Sequence, residues 1–152
     1  MTRFHHSLRI AAPLERVWAV LADLEAVQLY NPLVARARYL SDLREGVGAS
    51  RECEFRPKGR ARERVIAWNP RQSLTIELYE SPWPLEFMHW ETNLRQDGGD
   101  TVVTQTTDYR AKFGLLGRLL DALVMRRQLR RTLDRVLAGF KEFVESRSGA
   151  TT

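Results

Sequence analysis

Residues 114–145 read GLLGRLLDALVMRRQLRRTLDRVLAGFKEFVE. Leu115, Leu119, Ala122, Met125, Leu129, Leu133, Val136, Leu137, Phe140, Phe143 and Val144 recur at steps of three and four, the period of one helix face. A helix over this stretch would be ~45 Å long. It cannot bury an apolar face on itself, so the residues before it have to supply a broad partner surface. On a helical wheel Arg126 falls inside the stripe, among Leu119, Ala122, Met125, Leu129 and Leu133. Two readings of Arg126 stand side by side. Its stem can cover apolar surface while its head stays wet. Alternatively the guanidinium points into an enclosed space and pairs with a carboxylate or a ligand anion. Arg127, Arg130, Arg131 and Arg135 fall on the flank or back of the wheel and read as a solvated face.

The preceding residues supply the partner surface as strands. Phe4, His6, Leu8 and Ile10 alternate with polar residues, the period of a half-covered strand. Pro13 stands where a helix begins, and Val17, Trp18 and Leu21 follow at helical steps. Asp23 is placed to cap a second short helix, which Asn31-Pro32 stops. From Val34 to Arg110 the chain reads almost entirely as strand and turn. Cys53 and Phe55 share one face, with Glu52 and Glu54 on the other. Met88, Trp90, Thr92 and Leu94 oppose His89, Glu91 and Asn93. Asp97-Gly98-Gly99-Asp100 is a hairpin signal. The last strand has two plausible inward sets, Val102, Thr104 and Thr106 or Val103, Gln105, Thr107 and Tyr109.

The expected fold class is therefore α+β: one strand, two short helices, about six more antiparallel strands, then the long helix. A curved sheet of about seven strands wrapped round that helix satisfies both apolar patterns. Such a curl leaves an apolar concavity of the kind ligands occupy. The expected organisation is a single domain over residues 1–146, with a disordered polar tail at 147–152.

Composition narrows the functional classes. The chain has 152 residues, 43% hydrophobic and 28% charged, with a net charge of +5, which suits one soluble domain with one core. Lys58, Lys112 and Lys141 are the only lysines, so the positive charge is almost all arginine. Cys53 is the single cysteine, which excludes an intrachain disulfide and a cysteine-based zinc site. No run of 18 apolar residues exists, so no spanning helix is expected. The N-terminus lacks the apolar core of a signal peptide, and a reducing, cytoplasmic location is the expectation. Three scattered histidines, His5, His6 and His89, make a poor metal site. No metal and no cofactor are expected, and nucleic acid is not an expected partner.

Several stretches carry a resemblance. They are Ala12-Pro13-Leu14-Glu15-Arg16-Val17-Trp18 with Leu21-Ala22-Asp23, Gly46-Val47-Gly48, Val65 through Trp68-Asn69-Pro70, and Gly99-Asp100-Thr101-Val102-Val103. The last are Gly117-Arg118-Leu119-Leu120-Asp121 and Arg135-Val136-Leu137-Ala138-Gly139-Phe140-Lys141. In this order they resemble the START-like (SRPBCC) superfamily, with its helix-grip fold, and most closely its polyketide cyclase/dehydrase and lipid-transport branch. The family often has a tryptophan before the proline that follows the second helix; here Tyr30-Asn31-Pro32 stands there. The resemblance implies a β-α-α-β6-α architecture and a hydrophobic ligand cavity. The fold hosts carriers, receptors and cyclases alike, so it leaves activity open.

Residues expected to line the cavity are Cys53, Phe55, Val65, Met88, Trp90, Thr92, Thr104, Thr106, Leu119 and Arg126. No catalytic set stands out. The first functional expectation is binding, for carriage or sensing, of a lipid, quinone or aromatic polyketide-like metabolite. The alternatives are a cyclase/dehydrase acting in the same cavity, or a ligand-free interaction module using the basic face of the long helix. Peripheral membrane contact is compatible with that face, and oligomeric state is open.

Overall fold

The computed structural model describes residues 1–149. Strand β1 (Thr2–Ile10) leads into helices α1 (Leu14–Ala22) and α2 (Val27–Tyr30). Six strands follow: β2 (Val34–Tyr39), β3 (Ser50–Phe55), β4 (Arg60–Asn69), β5 (Ser73–Glu80), β6 (Leu85–Asp97) and β7 (Asp100–Ala111). The chain ends in α3 (Gly114–Leu120), a π-helical turn (Asp121–Met125) and α4 (Arg126–Gly149). All neighbouring strands pair antiparallel in the order β1-β7-β6-β5-β4-β3-β2. This is the seven-stranded curved sheet and long C-terminal helix that the alternating and three-four patterns call for.

Local chemistry sets several boundaries. Pro13 is the residue before α1 rather than its first turn. The Asp23 carboxylate accepts the Glu25 N–H at 3.1 Å, in the turn between the two short helices. The terminal helix is described through Gly149, so it takes in the first three residues of the expected disordered tail, and the rest of that tail lies outside the described residues.

One end of the curl is packed solid. Val17 of α1, Ile10, Leu94 and Val103 of the sheet, and Phe140 and Val144 of α4 form a buried cluster. Gly139 lets α4 approach this end tightly, and Gly117 lets α3 close on the residues just before it. A Cβ on Gly139 would stand 2.2 Å from the Tyr30 carbonyl oxygen, and one on Gly117 would stand 1.7 Å from that of Lys112. Any larger residue at either point would force backbone apart. The sequence pattern alone does not show this requirement.

The expected apolar stripe is followed only in its second half. Leu129 and Leu133 pack on the core, and Leu137, Phe140 and Val144 are buried. Leu115 and Leu119 are exposed, at 82% and 56%. Gly117 and Asp121 take the buried positions of that half instead. Asp121 accepts hydrogen bonds from the Tyr109 hydroxyl and from Thr2 Oγ1, the latter at 2.9 Å. The π-turn that begins at Asp121 adds residues to one helical turn and rotates the phase of α4 behind it. A wheel drawn at constant pitch through residues 114–145 therefore misplaces its first part.

The convex face carries ion pairs that couple stability to pH. Arg3 holds Asp108 through two bonds of 2.6 and 2.9 Å. Arg38 and Arg62 hold Glu52 at 3.0 and 3.2 Å. The Arg3 hydrogen bonds keep the Asp108 carboxyl below its ordinary value, and those of Arg38, with Arg62 behind them, do the same for Glu52. A carboxylate depressed in the folded state adds stability above its unfolded pKa and loses it as pH falls through the folded one. The thermal midpoint should be flat from about pH 7 to 5 and drop below about pH 4. Melting curves of an Arg3→Ala, Arg38→Ala variant should show a shallower acid limb. An acid limb identical to that of the parent would contradict the assignment.

Candidate ligand cavity

Away from the packed end, the sheet and α4 separate and leave between them a half-open cavity of about 630 Å³. That lies within the ~300–1,000 Å³ typical of small-molecule sites. Its sheet wall carries Phe55, Ile76, Leu78, Met88 and Trp90. Its helix wall carries Leu129, Leu133, Val136, Leu137 and Phe140, while Leu21, Val27 and Tyr30 reach it from α1 and α2. Pro57 and Lys58 of the β3–β4 turn, Trp83 and Pro84 of the β5–β6 loop, and Met125, Gln128 and Thr132 on the helix side also line it. Period-2 alternation explains the sheet wall. Residues 53 and 55 on β3, 76 and 78 on β5, and 88, 90 and 92 on β6 all share the concave face.

Among the polar groups of this lining, two hydrogen-bonded pairs stand on the sheet wall. Gln105 Nε2 donates to Thr92 Oγ1 at 3.1 Å, across the β6–β7 register. Arg51 and Glu63 face each other across β3 and β4. Arg51 Nε donates to Glu63 Oε2 at 2.7 Å, and Arg51 Nη1 donates to the Leu24 carbonyl at 3.1 Å. The two side chains are only 6% and 9% exposed. Burial acts against the charge on Arg51, but the Glu63 carboxylate outweighs it and holds the guanidinium above its ordinary pKa. The pair thus ties the sheet to the α1–α2 turn and sets a fixed dipole in the cavity wall.

Two neighbours of the pair are kept neutral. Burial, with Glu63 adding to it, pushes the Cys53 thiol up to about 12. Burial likewise pushes the Tyr30 phenol up to about 12, against an opposing effect of Arg51. Both groups can donate a hydrogen bond at neutral pH, and neither is a nucleophile there. Cys53 should therefore react with iodoacetamide at pH 8 at least about a thousandfold more slowly than a free thiol, because so little thiolate is present. Mass-spectrometric timing of alkylation measures this, and a rate near that of free cysteine would contradict it.

The structure divides the expected lining residues. Cys53, Phe55, Met88, Trp90 and Thr92 line the cavity. Val65 does not; it is buried among Leu24, Ala49, Leu74 and Ile76, nearer the packed end. Thr104 and Thr106 lie on the opposite sheet face, where Thr106 Oγ1 is 3.2 Å from His5 Nδ1. The inward set of β7 is the one containing Gln105, Thr107 and Tyr109. Leu119 points outward with the rest of its helical half. Arg126 does not reach the cavity: its side chain is 50% exposed and bonds Asp121 and Thr2, each at 3.4 Å. It does pair with a carboxylate, but one at the root of the helix rather than on a ligand. Arg51, Glu63, Tyr30 and Gln105 join the lining without being among the expected residues. Parity carries the signal for the first two, since Arg51 shares the phase of Cys53, and Glu63 that of Val65.

A family model described as polyketide cyclase / dehydrase and lipid transport matches residues 1–145. The chain belongs to this family. No curated protein matches it. Among solved structures, TTHA0849 from Thermus thermophilus is 21% identical, with a TM-score of 0.79 over 99% of this chain and 100% of that one. The Zhui aromatase/cyclase from Streptomyces sp. R1128 is 19% identical, with a TM-score of 0.78 over 97% and 95%. A START superfamily protein from Mycobacterium smegmatis is 14% identical, with a TM-score of 0.77 over 95% and 97%. At these identities the likeness is one of fold. Family and fold together are those of a START-like hydrophobic-ligand-binding protein.

Proposed function

We propose that the protein binds, for carriage or sensing, a small hydrophobic molecule that bears an oxygen function. A lipid, a quinone or an aromatic polyketide-like metabolite fits this description. The observation that carries the reading is the cavity itself: about 630 Å³, walled mostly by aliphatic and aromatic side chains, with polar groups set among them on both the sheet and the helix side. The walls suit an apolar body. Tyr30, Cys53 and the Gln105–Thr92 pair offer neutral hydrogen-bonding groups to a carbonyl or hydroxyl, which orients the ligand without requiring it to be charged.

The family description also covers cyclases and dehydrases. Those reactions need a group that takes or gives a proton near neutral pH. Glu63 is committed to Arg51, and Cys53 and Tyr30 hold their protons up to about 12. These facts favour binding over turnover in this cavity.

Trp90 lines the cavity and Trp83 stands in its lining loop, so intrinsic fluorescence reports occupancy. Titration with decylubiquinone, oleate and an anthraquinone should give saturable, one-to-one quenching by at least one of the three. Trp90→Phe should lose most of the amplitude while calorimetry still detects binding. Absence of a saturable signal with all three classes would overturn the proposal.

A further inference from the structure

The outward-turned half of the terminal helical segment is an unusual surface for a folded protein. Leu115, Leu116, Leu119, Leu120, Leu123 and Val124 are between 47% and 82% exposed. They sit at i, i+1, i+4, i+5, i+8 and i+9, which are two adjacent rows on one helix side, so they form a continuous strip rather than scattered contacts. Phe113, 69% exposed, extends it at the N-terminal end. Contiguous exposed apolar surface of this kind marks an interaction site.

The charges round the strip identify the partner. Lys112, Arg118, Arg127 and Arg131 are exposed on the same segment, while Arg126 turns to Asp121 and Arg130 lies over the Phe4 ring; Asp121 is the sole acidic residue between positions 112 and 131. Asp121 is buried and already engaged by Tyr109, Thr2 and Arg126. The segment itself therefore carries cations and no exposed acid. A second copy of the chain packed strip to strip would set these cations against their own copies, since a two-fold interface brings the same patch from both sides. A bilayer of anionic phospholipid has the complementary layering, with phosphates at the level of the arginines and acyl chains beneath. No described helix is long and apolar enough to cross a membrane, so the strip would lie in the interface rather than span it.

We propose that α3 and the π-turn dock the protein on an anionic bilayer surface, with the leucine strip at the acyl boundary and the arginines at the phosphates. The next residues on the same segment, Met125, Gln128 and Leu129, line the cavity. Docking therefore brings the cavity lining to the membrane from which an apolar ligand would partition. That last step rests on the ligand-binding reading; the docking does not.

Cosedimentation with vesicles tests the docking. The protein should bind phosphatidylcholine vesicles containing about 30 mol% phosphatidylglycerol at least tenfold more tightly than pure phosphatidylcholine. Binding should fall at least about tenfold between ~0.05 and ~0.5 M salt. A Leu115→Ser, Leu119→Ser, Leu123→Ser variant should lose at least tenfold in vesicle affinity. The same variant should keep the thermal midpoint and the quenching by a cavity probe, which separates a failed dock from a failed cavity. An Arg127→Glu, Arg131→Glu variant should lose the preference for anionic vesicles, and decides the matter if the leucine variant does not fold. Any one of three results would overturn the proposal: no binding to the anionic vesicles, undiminished binding by both variants, or a wild-type dimer that the leucine variant converts to monomer.

Discussion

Glu63→Gln should cost the protein roughly 3–5 kcal/mol of folding stability, the usual penalty for removing one partner of a buried ion pair. The mechanism is specific to the surroundings. Arg51 keeps its charge, remains almost wholly buried, and loses the carboxylate that Nε contacts at 2.7 Å. Its bond to the Leu24 carbonyl does not neutralise it. The double replacement Arg51→Met, Glu63→Leu removes both charges and leaves apolar groups in an apolar wall. Its stability should lie near that of the parent, or above it by about 1–4 kcal/mol. Urea denaturation of the three proteins measures the difference. A Glu63→Gln variant as stable as the parent would mean that water reaches Arg51, and that the wall is wetter than its burial implies. The double variant has a second use. If it is stable but binds ligand at least about tenfold more weakly, the ion pair serves recognition more than folding.

Leu133→Trp should abolish most ligand binding while leaving the fold intact. Leu133 projects from α4 into the cavity opposite the Met88–Trp90 wall. In a close-packed core so large a residue would cost about 1–3 kcal/mol through displaced neighbours. Here it faces about 630 Å³ of open space, so the indole fills a void instead. Stability should stay within about 1 kcal/mol of the parent or rise, because filling a void restores contacts that its walls lack. Ligand affinity should fall by at least about tenfold, since the ligand and the indole compete for one volume. Calorimetric titration and thermal melting distinguish this outcome from simple misfolding. Unchanged affinity in a folded Leu133→Trp protein would place the ligand elsewhere.

The fold is legible because two periods, one of two residues and one of three to four, run through long stretches without interruption. The alternation over Phe4–Ile10 and Phe87–Arg95 and the Asp97–Asp100 turn mark strands and a hairpin that the structure contains. Strand parity also puts Cys53, Phe55, Met88, Trp90 and Thr92 on the concave face, where they line the cavity. Parity fails for β7 because Val and Thr alternate there on both faces, and a threonine satisfies either side of a sheet. At Arg51 and Glu63 phase and residue type conflict. Their phase faces inward, but charged residues are rarely buried unless paired, and each supplies the partner the other requires. The first half of the terminal helix escapes the pattern for a different reason. Apolar periodicity reports an apolar face without saying whether the protein itself covers it. Gly117 on the Lys112 carbonyl and Asp121 under Tyr109 fix the rotation of that half. Both depend on tertiary contacts that no local pattern records.

Whether this cavity holds a hydrophobic ligand is tested most directly by native mass spectrometry of the protein expressed in its own host, alongside Leu133→Trp prepared in the same way. The expected result is a stoichiometric adduct on the parent, released as an apolar compound by organic extraction, and a bare mass for the variant. A bare parent that stays bare when incubated with host lipid extract, or an adduct carried equally by parent and variant, would contradict ligand binding in this cavity.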